Sequence, residues 1–113
     1  MSEFAFLFRG RDTDASPERI QKYGQDLFAW FKRLGDEGYI KALGNPLEQT
    51  GKVVKGKQRS VVDGPYAEAK DVVNGYTVIE AKDIAHAVEV AKSCPIFDLG
   101  GFVEVRPIRI LNM

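Results

Sequence analysis

Glu3-Phe4-Ala5-Phe6-Leu7-Phe8-Arg9 is the stretch that decides how this chain folds. Phe4, Phe6 and Phe8 fall on one side of an extended backbone and Ala5 and Leu7 on the other, a period of two that belongs to a strand. Apolar residues on both sides call for cover on both sides, so whatever packs on the phenylalanine face leaves the Ala5–Leu7 face wanting a second layer.

The next segment of the chain supplies the first layer. Gly10 to Ala15 reads as a polar loop, Ser16 as an N-cap, Pro17 as the first helical residue, and Glu18 as an acid near the positive helix end. The helix is expected to run to about Asp36, with Gly35 and Gly38 marking its end. At about 100° per residue, Ile20, Tyr23, Leu27, Trp30, Phe31 and Leu34 share one arc and Phe28 falls outside it. Such a stripe is a core face rather than a cofactor box.

Tyr39 to Leu43 reads as a second strand closed by Gly44-Asn45-Pro46. Val53-Val54 and Val61-Val62 flank Lys55-Gly56-Lys57 and predict a hairpin with Gly56 in its turn. Ala67 to Val73 reads as a short helical turn and Tyr76 to Ala81 as another strand. Asp83 caps a second helix, Ile84 to Ser93, with Ile84, Ala87, Val88, Ala91 and Cys94 on its inner side and Pro95 as its stop. Ile96 to Leu99 is expected as a linker and Phe102 to Leu111 as the last strand. The order β-α-β, hairpin, β-α-β gives a single α+β domain over residues 1–113, a ferredoxin-like split βαβ sandwich with an extra β-hairpin. Two helices cover one sheet face only, so a sheet from a second copy is the simplest cover for the other and a homodimer is expected.

The bulk composition narrows the function. The chain has 113 residues, 44% of them hydrophobic, with sixteen Lys+Arg balanced by sixteen Asp+Glu. That balance lacks the basic excess of nucleic-acid domains and permits self-association, so no nucleic-acid partner is expected. No apolar run approaches the ~20 residues of a membrane span, and the acidic start Met-Ser-Glu-Phe does not suit a secretory signal, so a cytoplasmic location is expected. One cysteine and one histidine cannot build a zinc site by themselves, and neither a P-loop nor a dinucleotide glycine pattern is present, so no cofactor is expected.

Chemistry concentrates in two places. Asp63-Gly64-Pro65-Tyr66-Ala67-Glu68-Ala69-Lys70-Asp71 packs three acids, a lysine and a phenol around a Gly-Pro corner. Pro65 fixes its own φ and pushes Gly64 from helical geometry, so the bend can aim the Asp63 carboxylate. Asp63 fits a general base, or an Asx-turn residue that only holds the bend. Tyr66 fits a hydrogen-bond donor or an aromatic anchor, and Glu68 and Lys70 fit ligand-orienting groups or solvated loop charges. In the last strand Glu104 and Arg106 stand two apart, hence on one face, and the apolar phase switches at Pro107, where a bulge is expected. Arg106 fits a carboxylate or phosphate clamp, and the pair equally fits a structural ion pair that holds a dimer in register. His86 is expected on an outward helical face and Cys94 in the core. Lys52, Lys55, Lys57 and Arg59 read as a charged hairpin that deters edge pairing.

The Asp63–Asp71 motif, then Asn74-Gly75-Tyr76 and Glu104-Val105-Arg106-Pro107, closely resembles the YCII-related, or DGPF-domain, family from Phe4 to Ile108. Tyr66 stands where the motif has Phe, and Asn74 where Gly is usual. The resemblance implies a dimeric α+β barrel of two ferredoxin-like subunits packed sheet to sheet, with a pocket between the sheets near the motif aspartate. It also implies a small-molecule ligand, since some relatives are lyases acting on lactone-like compounds. Of the His–Asp pair proposed for the family, Asp63 matches the aspartate, whereas His86 does not match the histidine. The expectation is a homodimer that binds a small molecule through Asp63, Tyr66, Glu68, Lys70, Glu104 and Arg106. It is either an acid–base, lyase-like enzyme for an anionic or carbonyl-bearing metabolite or a ligand-sensing or structural module without turnover.

Overall fold

The structure, a computed structural model of the chain, describes residues 1–64 and 71–112. Strand β1, Ser2–Arg9, lies inside a four-stranded antiparallel sheet of order β2-β5-β1-β6, where β2 is Ile40–Ala42, β5 is Val73–Ala81 and β6 is Phe102–Pro107. Phe4, Phe6 and Phe8 face Ile79, Thr77 and Gly75 across the β1–β5 ladder. These residues point with Val103 and Val105 of β6 into a core closed by the helices. Ala5, Leu7, Tyr76, Val78, Glu104 and Arg106 consequently face the other way. Helices α1, Pro17–Asp36, and α2, Ile84–Lys92, complete the split βαβ arrangement expected from the element order.

Helix α1 begins as read: the Arg19 N–H donates to Ser16 Oγ at 3.3 Å, and Pro17 sits in the first turn, where no N–H is needed. Trp30 and Leu34 are buried, Tyr23, Leu27 and Phe31 pack at their margin, and Phe28 is 75% exposed. Trp30 stacks on Phe6 with ring centres 6.4 Å apart and meets Phe8 edge-on at 6.1 Å. Its indole N–H donates to Ser93 Oγ at 2.8 Å, which satisfies the one polar atom that it brings into the core.

Several expectations change. The inner face of α2 is Ala87, Val90 and Ala91, while Ile84 is 49% exposed; the apolar arc read from sequence is wider than the strip the sheet can cover. The expected linker is a 3₁₀ turn, Pro95–Leu99, that buries Ile96 and Leu99, so Pro95 opens a new element as well as ending the helix. β5 starts at Val73, three residues before the expected Tyr76 and at the end of the expected 67–73 turn, of which residues 67–70 lie outside the described residues. β6 stops at Pro107 instead of bulging and continuing, because proline has no N–H for the ladder; one further bond, Ile108 N–H to Glu3 O at 3.0 Å, closes the pairing.

β3, Gly51–Lys55, and β4, Ser60–Gly64, form a separate two-stranded hairpin. Its turn is the one expected, with Gly56 at φ 77° and Arg59 at φ 57°. Val54 and Val61 lie opposite each other and are 64% and 62% exposed. The hairpin contributes nothing to the buried core. The Cα radius of gyration is 15.5 Å, against about 13 Å for a compact chain of this length.

Candidate functional site

The end of β1 organises the open face of the sheet. Period two along β1 puts the Arg9 side chain on the face opposite the phenylalanines, and the register shift at this end skips Asn74 of β5. Its Nε and Nη2 donate to Asp71 O at 3.0 and 2.9 Å, and Nη1 pairs with Glu104 Oε1 at 2.6 Å. The guanidinium also lies over the Phe102 ring, 5.6 Å from its centre. Arg106 Nη1 reaches Glu104 Oε2 at 3.4 Å, so one carboxylate bridges two arginines. The hydrogen bond from Arg9, assisted by both positive charges, holds the Glu104 carboxyl below its ordinary range.

Glu104 and Arg106 thus share the helix-free face, as the period-two reading required. Arg9 was absent from that reading: its partners lie 62 and 95 positions away, and a strand-end arginine carries no local sign of them. Beside this cluster a groove of about 550 Å³ opens between the hairpin base and the start of β5, bordered by Arg9, Lys52, Val53, Asp71 and Val73. Arg9 is an anchored cation at its edge, the kind of group that orients an anionic ligand.

Asp63 sits in β4, opposite Lys52 across the hairpin, and pairs with it. Its side chain is 88% exposed. Among the described residues no hydrogen bond or ion pair joins it to Arg9, Glu104 or Arg106, so a single chain does not gather the expected constellation. Tyr66, Glu68 and Lys70 lie outside the described residues. No group of three His, Cys, Asp or Glu side chains that could hold a metal ion occurs among the described residues.

Two lone residues resolve differently. His86 is half-buried rather than outward: one helical turn before buried Val90, its ring meets Tyr39 edge-on. His86 Nδ1 accepts from Lys82 N–H at 3.1 Å and Nε2 lies 3.0 Å from the Tyr39 hydroxyl, which occupies both ring nitrogens structurally. Cys94 is buried, and burial pushes its thiol up to about 12, leaving it a core residue as expected.

On the helix side of the sheet a second, more enclosed cavity of about 270 Å³ lies between α1 and the start of β5. Phe8, Tyr23, Leu27 and Phe31 wall it, and the Leu43–Pro46 segment closes it. That segment is locked onto β5 by Tyr76 N–H to Asn45 O at 3.3 Å and Leu47 N–H to Asn74 O at 2.8 Å. Burial pushes the Tyr23 phenol up to about 12. No helix among the described residues is long and apolar enough to cross a membrane.

Known proteins share this fold. A solved structure with the same fold is the 5-chloro-2-hydroxyhydroquinone dehydrochlorinase TftG of Burkholderia phenoliruptrix, in complex with 2,5-dihydroxybenzoquinone. It has a TM-score of 0.52 and is 17% identical, over 98% of this chain and 95% of that one. Curated proteins yield no match. The family model of the YCII-related domain matches residues 3–112, essentially the whole length, and the chain therefore belongs to the YCII-related family.

Proposed function

We propose that the chain works as a homodimer, closed open face to open face, that binds a small anionic or carbonyl-bearing metabolite between the sheets. The observation that carries this reading is the uncovered face itself. Ala5, Leu7 and Val78 form an apolar strip flanked by Tyr76 and Phe102, 41% and 39% exposed, and at its end stands the Arg9–Glu104–Arg106 cluster. Apolar area of this kind lowers free energy by about 25 cal/mol per Å² when it leaves water. A twofold axis would bring the same face of a second copy onto this one, and the alternating Arg and Glu charges can pair across that axis. TftG, which shares the fold, is a dehydrochlorinase seen with a ring bearing both carbonyl and acidic hydroxyl groups, and this supports the ligand class.

In this reading Arg9 and Arg106 hold the negative charge of the ligand and Asp63 takes its proton. The hairpin, free of the core of its own chain, carries Asp63 and Lys52 towards the second copy, so that the acid enters the chamber only on assembly. Tyr66, Glu68 and Lys70 are further candidates for contacting the same ligand. Proton abstraction next to a carbonyl would then lead to loss of a leaving group, the lyase-like outcome. A ligand sensor without turnover is the second reading. It is favoured by His86, whose two ring nitrogens are engaged by Lys82 and Tyr39 rather than paired with Asp63.

A thermal-shift screen of small carboxylates, keto acids and quinones tests the proposal. Ligands of this class are expected to raise the melting temperature of the wild type by mass action. Asp63→Asn should keep the unliganded melting temperature, because the side chain is solvent-exposed, and lose most of the ligand-induced shift. A screen with no shifting compound, or a variant that shifts like the wild type, contradicts the assignment. Consumption of a shifting compound separates the enzyme from the sensor.

A further inference from the structure

We propose that the aromatic-walled cavity between α1 and the Asn74 end of β5 is a separate binding site for a flat aromatic acid, whose carboxylate meets Arg11. This site lies behind the sheet from the groove at Arg9, and it needs neither the dimer nor Asp63.

Size and lining select the ring. The cavity holds about 270 Å³, and an apolar cavity of about 150 Å³ is enough to admit benzene. One substituted ring or two fused rings therefore fit. Phe8, Tyr23 and Phe31 offer aromatic faces and edges, and Phe8 and Phe31 already meet edge-on with centres 6.0 Å apart. Leu27 supplies the aliphatic floor.

Charge selects the acid. The Arg11 guanidinium lies 5.9 Å from the centre of the Tyr23 ring, and among the described residues no carboxylate pairs with it. Its backbone is fixed, because Arg11 N–H donates to Asn74 Oδ1 at 3.0 Å. The amide nitrogen of Asn74, a residue that lines the same cavity, has no protein acceptor among the described residues, which leaves a second donor. An apolar slot lined also by a cation and an amide donor is the arrangement that recognises an aryl carboxylate. Rings without charge lack the Arg11 interaction, and aliphatic acids lack the wall contacts.

Trp30 reports on the site without being part of it. It is the single tryptophan, it packs on Phe31 at 5.1 Å and on Phe8 at 6.1 Å, and its indole N–H gives one resonance in a ¹⁵N-labelled sample. The test is a titration of the full chain with 2-naphthoate and with its neutral counterpart 2-naphthamide. The naphthoate is expected to shift the Trp30 resonance, to show NOEs from its ring to the Leu27 methyls, and to bind at least tenfold more tightly than the amide. Arg11→Gln should bring the two ligands within about twofold of each other, and Leu27→Trp, which fills the slot, should abolish both titrations. The NOEs in the wild type keep the test decisive should Leu27→Trp fail to fold. Absence of binding, equal affinity for acid and amide, or a preference that survives Arg11→Gln overturns the proposal. NOEs confined to Leu7 and Val78 also overturn it, and would place the ligand on the open face instead.

Discussion

At position 44 only glycine fits. Its φ is +68°, and a Cβ there would lie 2.0 Å from the backbone oxygen of Tyr76 and 2.8 Å from the Tyr76 ring. Gly44→Ala combines a left-handed backbone with an overpacked contact, and is expected to cost about 2–4 kcal/mol in urea unfolding. Glu104 predicts a pH dependence. Its carboxyl is held low in the folded chain, first by the hydrogen bond from Arg9, and returns to its ordinary value on unfolding. Its contribution is therefore complete above about pH 4.5 and disappears as pH falls through the lower folded value. The melting-temperature gap between wild type and Glu104→Gln should be full above about pH 4.5 and close as pH falls through the lower folded value; a gap that widens in acid contradicts the pairing. At this scale the sequence was legible wherever a local rule applied. Glu104 and Arg106 share a face because they are two apart on a strand. Gly44 read only as a strand end, since its approach to Tyr76 spans 32 positions, and Arg9 went unread for the same reason.

Elements were legible where their ends are chemically marked. Ser16-Pro17 and Asp83 begin the two helices as read, with Ser16 Oγ and Asp83 Oδ1 accepting from Arg19 and His86 N–H. The 3₁₀ turn at Pro95–Leu99 was not, because one turn holds too few residues to show a period, although it buries Ile96 and Leu99 fully. In α2 periodicity gave the helix but not its rotation, which Tyr39 and the sheet decide by drawing His86 inward and leaving Ile84 outside. The hairpin was read correctly, and its exposed valine pair makes a prediction at this scale. Val54→Lys with Val61→Lys should leave the Trp30 fluorescence maximum unchanged, because the hairpin adds nothing to the buried core. If the arm reaches a second copy, the same change raises the dimer dissociation constant at least tenfold. A perturbed Trp30 would show that the arm packs on its own chain.

The whole molecule is a two-layer α+β unit with one sheet face covered by helices and one left open. The open layer could be inferred from Phe4 to Phe8 alone, because alternating apolar residues on both sides of a strand cannot be satisfied by helices on one side. The position of Asp63 could not, since it depends on where an arm outside the core points. A formal net charge of zero adds no long-range repulsion to oppose two copies meeting. Light scattering of the wild type at micromolar concentration, with Leu7→Arg as its control, tests the assembly most directly. A sheet-to-sheet dimer predicts a wild-type particle of twice the 12.6 kDa chain mass, and a single-chain mass for a folded Leu7→Arg, which puts a charge in the middle of the apolar strip. A wild type that stays at 12.6 kDa up to about 100 µM, or a Leu7→Arg chain that keeps the doubled mass, would contradict it.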